Sequence, residues 1–397
     1  MNPDLQQLHP YPFERLATLL DGVQAGPGDR ISLSVGEPKH PAPDVVLKAL
    51  TDNLRGLENY PPTRGSDAFR ESMARWLTMR FSLATELDPS TQVIPVNGTR
   101  EALFAIAQCL LDRQSNRRRV LMPNPFYQIY EGATYLAGLQ PEFYDANATP
   151  ENGPDFRAIT DDTWAATQLL YICNPGNPTG STLSEEELKL LVTLADKHDF
   201  VIVSDECYAE IYREDVGAPL GLLEVAAQMG NHTFKNCLAF HSLSKRSNLP
   251  GLRSGLVAGD AALLERFLHY RTYHGCSMAP PTQAASIAAW SDETHVRENR
   301  AMYDEKYAAV LDILSPVLEL ETPPAGFYLW PEVPQDDETF TRSMHERHNV
   351  AIVPGSYLAR EVDGHNPGAN RVRLALVAPL KQCVTAAERM RDFIQAG

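Results

Sequence analysis

The stretch Leu169–Asp205, LLYICNPGNPTGSTLSEEELKLLVTLADKHDFVIVSD, reads as strand, loop, helix and strand. Leu169–Cys173 is an unbroken apolar run of strand length, the pattern of a strand buried on both faces. Asn174-Pro175-Gly176-Asn177-Pro178-Thr179-Gly180 interrupts it, because prolines and glycines at this density end regular structure. Ser184 with Glu187 forms a capping box, and Leu188, Leu191, Val192 and Ala195 then recur on one helical face. Phe200–Val203 returns as a second apolar strand. Two buried strands joined through a helix predict parallel pairing in a sheet covered by helices on both sides.

The same alternation extends outward. Gln92–Val96 is a strand leading into a helical pattern from Glu101 to Leu111, and Val120–Met122 and Leu238–Phe240 are further short apolar runs. Residues 1–42 are rich in proline and resist long elements; they are expected to form an arm lying on another part of the molecule. Beyond about residue 280 the pattern changes. A helix over Asn299–Leu314 is followed by Gly326–Trp330, a helix near 338–348, Val350–Val353 and Arg371–Leu376. The expectation is an α/β fold with an N-terminal arm (1–42) contributing to a small domain. Residues 43–280 form a large domain with a mostly parallel central sheet flanked by helices, and residues 281–397 a small α+β domain. A chain of 397 residues agrees with two cores.

Composition narrows the function. With 43% hydrophobic and 22% charged residues the chain is an ordinary globular one. A net charge of −16 argues against nucleic acid as a partner. The basic cluster Arg117-Arg118-Arg119 reads as a solvated turn. Cys109, Cys173, Cys207, Cys237, Cys276 and Cys383 include no C-x-x-C pair, which fits free thiols in a reducing compartment. Met1-Asn2-Pro3-Asp4 shows no basic, apolar leader, and no run approaches a membrane span, so a cytoplasmic location away from membranes is expected.

The polar residues carry the chemistry. Asn177, Asp205 and Lys245 each close an apolar run or follow it, and in open α/β sheets ligands bind at that edge. Lys245 stands in Ser242-Leu243-Ser244-Lys245 with Arg253 eight residues on. This setting suits an amine that condenses with a carbonyl cofactor while neighbouring donors hold a phosphate. Plainer readings exist: Asp205 as a helix cap, Tyr208 as a core tyrosine, Tyr127 as packing beside Phe126 and Tyr130, Cys207 as packing. His345-x-x-His348 has metal-ligand spacing but no accompanying carboxylate motif, so a solvated helix face is expected there and no metal.

Taken together, Asn177, Asp205, Tyr208, Lys245 and Arg253 in this order resemble the pyridoxal-phosphate-dependent aminotransferases of the aspartate aminotransferase superfamily (fold type I). The resemblance runs from the Gly36-Glu37-Pro38 turn to the Arg373 strand. It implies catalytic roles for Lys245 as cofactor-linking amine and proton carrier, for Asp205 against the pyridine nitrogen, and for Tyr208, with Asn177, at the phenolic oxygen. Gly98-Thr99-Arg100 at a helix start, Ser242 and Arg253 are implied phosphate donors. Tyr127 is implied to stack on the ring, Tyr60 to reach the partner's phosphate across a homodimer with shared active sites, and Arg373 with Gly36 to bind the substrate carboxylate.

Pro10-Tyr11-Pro12-Phe13-Glu14, Gly36-Glu37-Pro38-Lys39-His40, Lys245–Gly255 and Tyr273-His274-Gly275-Cys276 are similar to the succinyldiaminopimelate transaminases of proteobacteria. Ser254 agrees with that subgroup, where the superfamily usually has an aliphatic residue. The implied reaction exchanges an amino group between glutamate and N-succinyl-2-amino-6-oxopimelate, in lysine and diaminopimelate synthesis. Lys39 and Arg246 are the nearest candidate cations for the distal carboxylates. Another class I aminotransferase (aspartate, aromatic or diaminopimelate type) or a pyridoxal-phosphate C–S lyase shares these motifs. A non-catalytic sensing module would need a DNA-binding extension, for which the pattern leaves no room.

Overall fold

A computed structural model of the chain describes residues 1–148 and 153–396. Its strands, in chain order, are β1 (Ile31–Ser32), β2 (Val93–Val96), β3 (Arg119–Asn124), β4 (Gln140–Asp145), β5 (Thr167–Cys173), β6 (Val201–Asp205), β7 (Cys237–Ser242), β8 (Gly255–Gly259), β9 (Tyr328–Leu329), β10 (Val350–Ala351), β11 (Val353–Pro354) and β12 (Val372–Ala375). Among the described residues a seven-stranded sheet takes the order β2-β8-β7-β6-β5-β3-β4. Strands β3 to β7 pair in parallel, and β8 runs antiparallel to both β2 and β7.

Strict alternation along the strands builds two cores, one on each face of this sheet. Leu170, Ile172, Ile202, Ala239, Leu256 and Ala258 enter one, and Leu169, Tyr171, Val203, Leu238, Phe240 and Val257 the other. The helix predicted from Ser184 covers the first: Glu185–His198, with Ser184 Oγ accepting from Glu187 N at 3.2 Å and Ser184 N donating back to the Glu187 carboxylate at 2.7 Å. Its Leu188, Leu191, Val192 and Ala195 are buried. Asp199 ends it in a left-handed conformation (φ 53°).

A further core joins the rest. Ile31 and Leu33 meet Tyr307, Val310, Leu314, Phe340, Met344, Val372, Leu374 and residues of the Leu380–Ala396 helix. Strand β1 pairs in parallel with β10, and β11-β12-β9 form a small antiparallel sheet. The Pro12–Leu19 helix of the N-terminal arm lies on Val353, Tyr357 and Leu358, with the Arg15 guanidinium 3.7 Å over the Tyr357 ring.

Ala285, Ala289 and Trp290 of the Pro280–Trp290 helix pack into the large-sheet core, whereas Tyr307, Val310 and Leu314 of the Thr294–Leu314 helix join the small core. Pro280 and Pro281 open the Pro280–Trp290 helix, where a missing N–H costs nothing. Arg117 and Arg118 are not merely solvated: they donate to the carbonyls of Asp199, Thr167, Arg113 and Gly138.

Candidate active site

Parallel register brings distant residues to one edge. Cys173, which precedes the Asn/Pro/Gly loop, lies opposite Asp205, and Asp205 opposite Phe240. Lys245 follows β7 in a single helical turn, Leu243–Arg246, whose cap is Ser242: its Oγ accepts from Ser244 N at 3.1 Å. At this edge a cavity of about 410 Å³ is lined by Gly36, Thr99, Arg100, Tyr127, Asn177, Asp205, Tyr208, Ser242, Lys245, Arg253 and Arg373. Gly98, the cap of the Thr99–Leu110 helix, stands just behind. Tyr60 does not line the cavity; its ring is fully exposed on the isolated chain.

Asp205 is 4% exposed. It accepts from the Tyr130 hydroxyl at 2.7 Å and from Cys207 N at 3.3 Å. Burial pushes its carboxyl up, while the Cys207 and Tyr130 donors pull the other way; a cationic partner would oppose the burial penalty directly. Lys245 donates to the Gly36 carbonyl. Burial lowers the amine to about 8, with Arg373 adding to the effect. An amine so depressed is partly neutral near physiological pH, as a nucleophile or general base must be.

Where an anion would sit, the chain is shaped around one residue. Gly98 has φ +100°, and a Cβ there would fall 2.0 Å from Arg253 Nη2. Arg253, itself left-handed (φ 52°), donates to Glu101 Oε2 at 2.7 Å and to the Pro250 carbonyl at 3.0 Å. The guanidinium is thereby aimed across the first turn of the Thr99–Leu110 helix, whose leading N–H groups have no helical acceptor.

Opposite, Arg373 on β12 is buried. It donates to the Ser34 carbonyl at 2.8 Å and to Asn177 Oδ1 at 3.2 Å. Its guanidinium lies 4.6 Å from the Tyr328 ring centroid, and its Nε has no partner. Arg371, two residues earlier, instead donates to the Trp330 carbonyl and faces Glu332 at 3.7 Å.

The sequence reading missed three tyrosines. Tyr130 holds Asp205. Tyr328 stands 3.0 Å from the Tyr208 hydroxyl, and a Cβ on Gly36 would fall 2.0 Å from its own hydroxyl. Tyr11, from the arm, lines the cavity and pairs with Tyr127. A second correction concerns Arg246, which is buried away from the mouth: it donates to the Ala289 carbonyl, pairs with Glu293 and lies against the paired Trp76 and Trp290 rings. Neighbours on a helical turn point about 100° apart, so adjacency to Lys245 carries Arg246 elsewhere. Lys39 pairs with Glu37 and borders a separate recess beside Arg30 and Val377. His345 is buried, and among the described residues no group of side chains could hold a metal ion. Nor is any helix there long and apolar enough to cross a membrane.

Comparison with known proteins agrees with this arrangement. The family model "Aminotransferase class I and II" matches residues 28–389. A crystal structure of an aminotransferase from Neisseria meningitidis Z2491 superposes with a TM-score of 0.94 at 46% identity, covering 99% of this chain and 100% of that one. The LL-diaminopimelate aminotransferase of Desulforudis audaxviator (strain MP104C) is 32% identical over 400 residues, covering 98% of this chain and 97% of that protein. A Thermus thermophilus protein described as "probable N-succinyldiaminopimelate aminotransferase" has a TM-score of 0.83 at 27% identity, covering 96% of this chain and 99% of that one. The family depends on pyridoxal phosphate, and the residues fit that group: a buried carboxylate, a depressed amine, and a glycine whose missing side chain leaves room beside a guanidinium. The chain belongs to the class I and II aminotransferases and is a pyridoxal-phosphate-dependent transaminase.

Proposed function

We propose that this transaminase exchanges an amino group between glutamate and an oxo acid of the diaminopimelate type, N-succinyl-2-amino-6-oxopimelate. The observation that carries the catalytic reading is the shared cavity onto which Lys245, Asp205 and Arg373 all open. The substrate class rests on the relatives' names, diaminopimelate and succinyldiaminopimelate. The LL-diaminopimelate reaction is the second reading, favoured by the relative at 32% identity.

When bound, pyridoxal phosphate supplies a carbonyl for amine exchange and a ring that withdraws electrons. Lys245 would hold the carbonyl end and, once displaced, would carry the proton from the substrate α-carbon to the cofactor carbon that had borne the carbonyl. Asp205 would pair with the ring nitrogen and keep it protonated, with Tyr130 orienting the carboxylate. Gly98, Thr99, Arg100, Ser242 and Arg253 would hold the phosphate, and Tyr127 would cover the ring. Tyr208 and Asn177 serve the phenolic oxygen. Arg373, beside Gly36, binds the substrate α-carboxylate through the donor capacity its own chain leaves open. Tyr60 serves the phosphate of a second copy in a homodimer with shared sites. Mixing inactive Lys245→Ala and Tyr60→Ala chains should then restore part of the activity. No recovery despite proven subunit exchange would end the shared-site reading.

Substrate choice is tested with glutamate as donor and a panel of oxo acids. The succinylated oxo acid should exceed oxaloacetate by ~10²-fold or more in kcat/KM, a few kcal/mol of transition-state discrimination. Equal efficiencies would refute the succinyl assignment, and a preference for the unsuccinylated compound would favour the second reading.

A further inference from the structure

Behind the lysine-bearing turn lies a line of buried polar groups that the reaction as described does not use. Lys306, on the Thr294–Leu314 helix, is 2% exposed, and Asn299, two turns earlier on the same helix, is 1% exposed. Lys306 Nζ lies 2.6 Å from His40 Nε2. His40 Nδ1 lies 2.7 Å from Asn299 Oδ1. Asn299 Nδ2 donates to the carbonyls of Lys245 at 3.3 Å and Arg246 at 3.4 Å.

The line has one self-consistent direction. An ammonium has only protons to give, so His40 accepts at Nε2 and carries its proton on Nδ1. Asn299 then accepts at Oδ1, which leaves its amide to donate to the lysine turn. Two shifts agree with this order. Burial lowers Lys306 only to about 8, which keeps it cationic at neutral pH. Burial also lowers His40, and the Lys306 charge adds to that, so the ring stays neutral.

Lys306 also donates to the Val377 carbonyl at 3.4 Å and stands 5.0 Å from the Tyr303 ring centroid. Its titratable neighbour is the Cys383 thiol, not a carboxylate. A buried cation without a counter-ion is poor packing, and an apolar side chain of similar length would stabilise the fold better. Its contacts show what it gains. Val377 follows the strand that carries Arg373, and His40 lies in the same loop as Gly36, whose carbonyl accepts from Lys245 Nζ.

We propose that Lys306, His40 and Asn299 are positioning residues, a directed hydrogen-bond line that fixes the Lys245 turn relative to the Arg373 strand. The proposal rests on Lys245 being the reactive amine and on Arg373 binding substrate.

The test uses holoenzyme and the variants Lys306→Met and Asn299→Ala. Amide hydrogen exchange should quicken in the Leu243–Asn248 turn with little change elsewhere. The pH midpoint of the bound cofactor's visible absorption should move. Loss of alignment should lower kcat by about tenfold to a hundredfold while KM changes far less. If Lys306→Met fails to fold, His40→Phe keeps a ring of similar size but removes both the acceptor toward Lys306 and the donor to Asn299, and it should show the same signature. Unchanged local exchange and an unmoved midpoint, even alongside a lower Tm, would overturn the proposal and leave the line a packing feature. Borohydride reduction of the same holoenzyme tests the underlying reading separately: label on a lysine other than Lys245 sinks that reading, whatever the exchange data show.

Discussion

The two ionisable groups that face each other across the cavity are held in opposite ways. Asp205 is completed by its own side of the molecule: the Tyr130 hydroxyl and the Cys207 N–H occupy its oxygens. Arg373 is only partly answered. Ser34 and Asn177 take two of its nitrogens, and Nε is buried with no partner. A site for a resident group can be satisfied in advance, because its occupant arrives once. A site that releases its ligand at every turnover must keep donor capacity in reserve, since a fully bonded guanidinium has nothing left for a carboxylate.

Variants can break this contrast. The largest effect belongs to the group between the two walls: Lys245→Ala should leave no transamination above background, and borohydride should fix the cofactor to the Ser242–Arg253 peptide of the parent enzyme only. On the satisfied wall, Asp205→Ala should lower kcat by ~10²-fold or more, the scale of losing a principal electrostatic contributor, with little change in KM. Near-normal turnover would show that another acid does this work. On the open wall, Arg373→Ala should act mainly on kcat/KM for carboxylate substrates, by about 30- to 100-fold, as expected for a charge-assisted pair of ~2–3 kcal/mol. Substrate analogues with a neutral amide in that position should be nearly indifferent to it. If Arg373→Ala lowers kcat alone, the two walls are not different in kind. Tyr130→Phe removes one donor from Asp205 without removing the charge, so a loss of about fivefold, roughly 1 kcal/mol, is expected.

The smallest signal is a pH profile. Burial depresses Lys245 to about 8 from the usual 10.5, so protonation blocks the amine only below that value. Capture of an aldehyde by the cofactor-free chain should rise with pH and level off above about 8. A rise continuing toward 10.5 would mean the amine is not depressed.

The sequence made the parallel sheet legible because its strands are apolar on both faces and its best helix announces its own start at Ser184. Asp205, Asn177 and Lys245 were legible for a related reason: each stands where an apolar run stops. Tyr130 was not. It sits three residues from Tyr127, in the first turn of the Ile129–Leu136 helix that Tyr127 precedes, and its bond to Asp205 spans 75 residues. No local pattern distinguishes the tyrosine that meets the carboxylate from the one that lines the cavity. Arg246 misled because nearness in sequence was read as a shared direction, and a helical turn sends successive side chains to different neighbours.

The reversed strand β8 has a consequence for the order in which the molecule assembles. A strand that runs against its neighbours enters the sheet at the edge where they leave it. Arg253, just ahead of β8, therefore arrives beside both Ser242 at the end of β7 and Gly98 beyond β2 without any long crossover. The β7–β8 pairing closes through a short connection and belongs among the early contacts, whereas β2–β8 joins segments far apart in the chain and forms late. Arg253 can thus be in place while the glycine it needs is still absent. On the phosphate roles proposed for Arg253 and Gly98, tight capture of the phosphate end during refolding should therefore wait for the β2–β8 pairing.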